Sequence, residues 1–517
     1  MSLAKKFASV GGATMASRVL GFAREAMIAG FLGAGPVADA FYAAFRFPNL
    51  FRRLFAEGAF NAAFIPLFAK ELEAGGKSAA REFAEQILSV LVLSLLILSA
   101  LAMIFMPSLV GTIIAPKFAQ DPEKFELTVL LTRIMFPYLM AMSLVAMFSG
   151  ILNSFRRYFL AAFAPVVLNI VFIAVLAFGG FLELSDPKLG QAMAWGVFIS
   201  GILQLCLLIY GIKKEGFPLS LRMPRVSAPV KRLLVLAVPT AIAGGITQIN
   251  LLVGQIIASA QSGAIAVMNY AERLMQLPLG IIGISIGVVL LPELTRALTA
   301  KNSEDANHLQ NRSLEFGLGL TIPAAVGLFM LNLPLVALVY ERGAFDRETA
   351  EITSLVLAGF AVGLPSFVLI KILQPSFYAR EDMRTPMWFS GVNAVLNIIF
   401  SFTLFPIYGV FGLAIATSIA GWVNAFLLWM ALHWGEHFRI AVKTWRNIAL
   451  ICFASLVMAG ILYLGNVWLG SALTDNGLLA RLFLIGVLIA VSAIVYFAIV
   501  ITTGAIPRAQ LKRMLKR

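Results

Sequence analysis

The residues able to do chemistry are charges set inside apolar stretches. Arg18, Arg24 and Glu25 interrupt the first such stretch; Asp39, Arg46, Asn49, Arg52, Arg53 and Glu57 line the second. An ionisable side chain at the centre of a bilayer costs about 2.5–3.5 kcal/mol even on the lenient insertion scale. Five arginines and three carboxylates within two spans therefore cannot face lipid. They must face one another, a water-filled cavity or a charged cargo. Arginine predominates, so the cavity they imply is net positive, and the planar guanidinium fork suits phosphate and carboxylate. The chemistry indicated is the electrostatic gripping of an anion in a cationic internal chamber.

On an ideal helical wheel Asp39, Tyr42, Arg46, Asn49, Arg53 and Glu57 form one stripe, with Arg52 off it. Pro48 kinks the helix and spoils the register, so the wheel leaves open which of Arg52 and Arg53 faces the chamber. In the first span Arg18 and Glu25 share a face and Arg24 lies off it. Glu25, Asp39 and Glu57 read as counter-ions or gate partners. The plainer alternative is a set of salt bridges joining helices, or arginines snorkelling at helix ends. A later span adds Glu272 and Arg273, with Asn269 and Gln276 one turn to either side.

Positioning such charges requires membrane-spanning helices. Of the 517 residues, 60% are hydrophobic and 13% charged, where a soluble domain carries about 25% charged. Fourteen apolar windows long enough to cross a bilayer run from 8–32 to 478–504. Arg18 and Arg24 break the apolar core of the first, which reads as a retained span rather than a cleaved signal. The net charge is +14, an excess that belongs in cytoplasmic loops and not on nucleic acid. With the N-terminus inside, Lys70, Lys77, Arg81, Lys213, Lys214, Arg222, Arg225, Arg380, Arg384, Arg439, Lys443 and the basic tail fall on one side. The other side holds only Lys117, Lys124, Lys188, Arg342 and Arg347. That asymmetry places both termini in the cytoplasm.

The chain also repeats itself. Pro107 recurs as Pro334, Pro137 as Pro365, and Leu168-Asn169-Ile170 as Leu396-Asn397-Ile398. The expected fold is all-α and polytopic, with two parallel six-helix lobes around a central cationic cavity and two extra C-terminal helices. The first lobe covers 1–215, a linker and the second lobe 216–440, and the last two helices with the basic tail 441–517. The linker proper is 213–232. Parallel repeats of this kind are a transporter signature, with cargo bound near mid-membrane and each side opened in turn.

Other motifs point away from catalysis. No Gly-x-x-x-x-Gly-Lys-Ser/Thr loop exists, so the chain is not read as an ATPase or any other enzyme. His433 and His437 stand at i, i+4 near a helix end without a third ligand, and no metal is expected. Cys206 and Cys452 lie in apolar runs and imply no disulfide. Gly280, Gly283 and Gly287 read as a small-residue packing seam. Arg380-Glu381-Asp382-Met383-Arg384 reads as a solvated turn.

Ser17-Arg18-Val19-Leu20-Gly21-Phe22-Ala23-Arg24, Asp39-Ala40-Phe41 and the run from Pro48 to Phe60 closely resemble the MurJ (MviN) family. So do Tyr270-Ala271-Glu272-Arg273-Leu274 and Gln374-Pro375-Ser376-Phe377-Tyr378-Ala379-Arg380. The likeness extends over the whole chain. It implies a flippase of lipid II, the undecaprenyl-pyrophosphate-linked peptidoglycan precursor, in the bacterial inner membrane, within the multidrug/oligosaccharidyl-lipid/polysaccharide exporter superfamily. The family's cavity arginines fall on Arg18, Arg24, Arg52 and Arg273, and its acidic position on Asp39; Arg53, Asn49 and Glu272 join the set as neighbours. The last two helices are expected to form a groove for the lipid tail. No cofactor is expected; the drive is the membrane potential, with or without a coupled monovalent cation. Segment seven offers only Thr240, Thr247, Gln248 and Asn250 to such an ion, where some relatives place an acid. The expected partners are lipid II and the bilayer, and the protein is expected to act as a monomer. The runner-up is an exporter of another lipid-linked oligosaccharide.

Overall fold

The computed structural model describes residues 3–53 and 60–505, and among these every extended element is a helix. In lipid each backbone N–H and C=O must be satisfied within its own segment, which leaves the helix as the default for a chain this apolar. Compactness divides the chain into Met1–Ala266 and Val267–Arg517.

The first unit holds α1 (Leu3–Leu32), α2 (Pro36–Phe51), α3 (Asn61–Ile104), the short α4 (Met106–Leu109), α5 (Pro122–Met135), α6 (Tyr138–Ser154), α7 (Tyr158–Phe181), α8 (Asp186–Lys214) and α9 (Ala228–Ala258). Within it α1 packs on α7, α2 on α5, and α3 on both α6 and α9. Gly76 breaks α3 at φ +67, a left-handed conformation that glycine adopts without steric cost. The second span of the sequence therefore ends before Gly76 and the third begins after it, two helices joined across a kink. Pro48 lies inside α2, and a π turn follows at Arg52 and Arg53. The missing N–H of proline and the extra residue of a π turn both shift helical register.

The second unit opens with α10 (Ala264–Thr299), whose first residues lie in the preceding unit. It continues through α11 (Ser303–Met330), the short α12 (Asn332–Tyr340), α13 (Arg347–Tyr378), α14 (Arg384–Tyr408), α15 (Val410–Trp434), α16 (Val442–Leu469) and α17 (Leu478–Thr502). Here α13 and α14 pack on α15, and α11 packs on α13 and α16. The pair α16 and α17 is welded to this unit by a core of Leu331, Ile451, Leu462, Leu473 and Ile485. The buried Tyr496 hydroxyl donates to the Gly319 carbonyl at 2.6 Å.

Ten stretches among the described residues are long and apolar enough to cross a membrane. The other predicted windows fall on α1, α2, α9 and α10, which are charged, short or only partly described. Phe181, Trp468, Leu479 and Phe483 are among many large side chains left exposed. So much exposed apolar surface is what a lipid-embedded protein presents. This is a multi-pass membrane protein.

The repeat has structural counterparts. A short helix bearing Pro107 follows α3, and one bearing Pro334 follows α11. Next comes an aspartate that caps the following long helix. Asp121 accepts the N–H of Lys124 at 3.1 Å, and Asp346 accepts that of Thr349 at 2.9 Å. The compact units divide later than the repeat-based boundary at 215. Residues 215–227, within the 213–232 stretch that composition marks as a linker, form a strap tied along α3. Lys77 and Arg81 donate to the carbonyls of Glu215 and Gly216, and the buried Glu85 carboxylate accepts from the Ser220 amide and hydroxyl and from Arg222 Nε at 2.6–3.1 Å. With α9 also packed on α3, the strap and α9 belong to the first unit.

Candidate functional site

The first-span charges gather where α1 crosses α7. Arg24 and Glu25 are both buried, and Arg24 Nη2 lies 2.5 Å from Glu25 Oε1. The second arm of the guanidinium donates to Asn169 Oδ1 at 3.0 Å, and its carbon stands 5.2 Å from the centre of the Phe172 ring. Glu25 Oε2 accepts from the Tyr42 hydroxyl at 2.6 Å, bringing α2 into the network. Asn169 closes it by donating to the Ser17 carbonyl at 2.9 Å. Arg24 Nε is buried without a hydrogen-bond partner. An unpaired buried N–H carries a desolvation cost, which the contacts of the other two arms to Glu25 and Asn169 and the Phe172 face offset.

Arg18, one to two turns earlier, is exposed. The wheel grouped Arg18 with Glu25 and left Arg24 aside; in the structure Arg24 and Glu25 form the pair. Angular position along a helix fixes the Cα, and a side chain as long as arginine reaches across it. Asn169 was visible in the sequence only as part of the Leu168-Asn169-Ile170 repeat. Its counterpart Asn397 accepts from Thr417 Oγ1 at 3.3 Å in the second unit.

Asp39 is fully buried. Its Oδ2 lies 2.7 Å from Lys124 Nζ, and it accepts the backbone N–H of Gly263 at 2.7 Å and of Ala266 at 3.0 Å. It thus neutralises a lysine and caps the first turn of α10, where a carboxylate also meets the positive end of the helix dipole. Lys124, which hydropathy assigns to an exterior loop, is buried instead, 4.0 Å over the Phe118 ring. The apolar window appeared to begin after it, and only Pro122 at the helix start hinted that α5 begins earlier.

Further along α2 the stripe loses its register after Pro48. Arg52 is half-buried and its Nε donates to Asn49 Oδ1 at 3.0 Å, whereas Arg53 is exposed. The π turn provides the rotation. Arg46 is half-buried. Glu57 lies outside the described residues.

In the second unit Glu272 and Arg273 are half-buried on α10, and Glu272 Oε1 accepts from Gln276 Nε2 at 3.0 Å. The turn carrying them is anchored by Tyr270, whose ring lies 5.1 Å from that of Tyr340 and 5.4 Å from that of Phe345. Gly283 of the predicted packing seam faces a lysine rather than a helix backbone. A Cβ there would come within 2.7 Å of Lys371 Cδ and 2.9 Å of its Nζ. His433 stacks on Trp429 with ring centres 5.7 Å apart, and His437 offers its carbonyl to Arg380 at 3.1 Å.

A helical membrane protein with internal arginines has the form of a transporter. Its fold is shared with a solved inward-facing multidrug resistance MATE family transporter of the MOP superfamily. That protein is 17% identical, with a TM-score of 0.67 over 81% of this chain and 95% of the other. A family model described as lipid II flippase MurJ matches residues 28–488. Probable lipid II flippases MurJ from Rhizobium tropici and Rhizobium meliloti are each 48% identical, covering all of this chain and 97% of theirs. A solved lipid II flippase MurJ in an inward closed conformation is 27% identical, with a TM-score of 0.78 over 98% of this chain and 99% of that one. The chain belongs to the MurJ lipid II flippase family.

Proposed function

We propose that this protein flips lipid II from the cytoplasmic to the periplasmic leaflet of the bacterial inner membrane by alternating access, as a monomer with both termini cytoplasmic. The observation that carries the reading is Arg24: a guanidinium buried among Glu25, Asn169 and Phe172 inside the helical bundle of a chain from a flippase family. A pyrophosphate linked to a polar sugar-peptide is the kind of headgroup that such donors hold. Its polyprenyl tail stays in lipid, and the helices α16 and α17 are proposed to guide it.

The residues proposed to take the headgroup are Arg18, Arg24, Arg52 and Arg273, supported by Arg53 and Asn49. Glu25, Asp39, Glu57 and Glu272 serve as charge or gate partners. Cargo binding drives the cycle only through tighter binding to the closed or outward state. The membrane is negative inside, so outward movement of an anion is favoured by about 2.3 kcal/mol per charge per 100 mV. That potential is the proposed drive, with or without a coupled monovalent cation. No covalent step is involved.

The test is depletion of the protein followed by measurement of lipid II exposed on the outer leaflet. Exposure should fall, and wild-type protein should restore it. Alanine variants at Arg18, Arg24, Arg52 and Arg273, confirmed to be folded and inserted, should not. Unchanged exposure on depletion, with no substitute flippase present, would favour another lipid-linked oligosaccharide as cargo.

A further inference from the structure

The first unit contains an apolar groove of about 240 Å³ that the arginine set does not line. One wall is α3, through Ile87, Leu91, Leu95 and Leu98; the other is α9, through Leu234 and Val238. On both helices the lining recurs at i, i+3, i+4, i+7 and beyond, so each presents a single continuous stripe. The groove opens to the outside at Leu234 and Val238, which are 46% and 50% exposed, above a buried floor that includes Val230 and Leu95.

Two features identify an occupant. The first is length. The α9 stripe runs from Val230 to Ala241, about 16 Å at the helical rise of 1.5 Å per residue. That is about half of the ~30 Å hydrocarbon core, the depth of one leaflet. An eleven-isoprene tail is far longer than that. The second is charge. The groove begins where α9 begins, at the end carrying Arg225, Lys231 and Arg232, all exposed. The only acids facing this end from α3 are Glu82 and Glu85, and both are engaged by Arg222 at 3.8 and 2.6 Å. Arg225 and Lys231 are left to face the headgroup layer on the basic-loop side; Arg232 lies on the face of α9 away from the stripe.

We infer that this groove is a binding site for an anionic phospholipid, with one acyl chain laid between α3 and α9 and the phosphate held by Arg225 and Lys231. Basic clusters at the membrane surface beside transmembrane helices bind anionic headgroups by the same electrostatics. The lipid completes a seam that the protein leaves unfilled, on the helix that follows the strap.

The experiment uses the full-length protein in detergent, with phosphatidylglycerol and phosphatidylcholine as separate probes, read by native mass spectrometry and by thermal melting. Phosphatidylglycerol should be retained and should raise the melting temperature, and phosphatidylcholine should do neither. Ala237→Trp fills the groove and should abolish retention. The double change Arg225→Gln and Lys231→Gln, made on exposed positions that leave folding intact, should weaken it. Equal retention of the two lipids, or full retention by both variants, overturns the assignment. So does undecaprenyl pyrophosphate that displaces phosphatidylglycerol from wild type and is itself no longer retained by Ala237→Trp, which would make the groove a site for the cargo tail.

Discussion

The ammonium of Lys124 stands 2.7 Å from the carboxylate of Asp39, and both side chains are shut away from water. A buried ion pair contributes little against an apolar pair of the same shape, yet removing one member strands the other. Asp39 has two further partners in the amides of Gly263 and Ala266, so it cannot simply be released to solvent. Lys124→Met should therefore destabilise the protein by about 3–5 kcal/mol. Asp39→Asn should cost less, because its amide oxygen still accepts from the α10 backbone. The double variant should be closer to wild type than the sum of the singles. Chemical or thermal unfolding of the four proteins in detergent checks this; strict additivity would mean that the contact carries no coupling.

Arg24 engages two acceptors at once. One arm reaches Glu25 and the other Asn169, with the guanidinium plane near Phe172. Lysine keeps the charge but lacks the fork. Arg24→Lys should therefore fail to restore lipid II exposure on the outer leaflet even where the protein level is normal. Restoration to the wild-type level would show that charge alone suffices there.

Arg52 and Arg53 differ more in surroundings than in sequence. Arg52 is half-buried with its Nε on Asn49, and Arg53 is exposed. Arg52→Ala and Asn49→Ala should both reduce flipping strongly, and Arg53→Ala should reduce it less. Outer-leaflet lipid II at matched expression ranks the three. An Arg53→Ala defect equal to that of Arg52→Ala would place both arginines on the working face.

Much of this was legible in the sequence. Charges confined to otherwise apolar spans announced an interior polar network, because lipid would reject them. The twofold recurrence of proline and asparagine positions marked an internal repeat; the matched short helices and aspartate caps at those places came only with the structure. Three things were not legible. A π turn after Pro48 rotates Arg52 and Arg53 in a way no ideal wheel contains. Lys124 sits just before the apolar window, where hydropathy alone assigns a loop. The strap 215–227 looks like a connector by composition, and only the positions of Glu85 and Ser89 on α3 turn it into a bound segment. The last two arise from contacts between residues far apart in sequence, which local pattern does not encode; the first is a local change of helical register.

The two helix starts of the second unit that lie outside the membrane give a pH dependence of known sign. Asp346 accepts the N–H of Thr349, and Asp382 accepts those of Arg384 and Thr385 at 3.0 Å. In both cases hydrogen bonds from the residue three positions on hold the carboxyl below its usual range. A carboxylate with a lowered folded pKa stabilises the fold above its unfolded value of about 3.9, and that stability is lost as pH falls through the folded value. Asp346→Ala or Asp382→Ala should each cost about 1 kcal/mol at neutral pH, the usual worth of such a cap. The deficit relative to wild type should shrink as the pH drops below about 4, where the native carboxylates protonate. Melting temperatures of the full-length variants, measured from neutral to acid pH, follow this directly. A deficit that stays constant with pH would mean that the carboxylate charge contributes nothing to either cap.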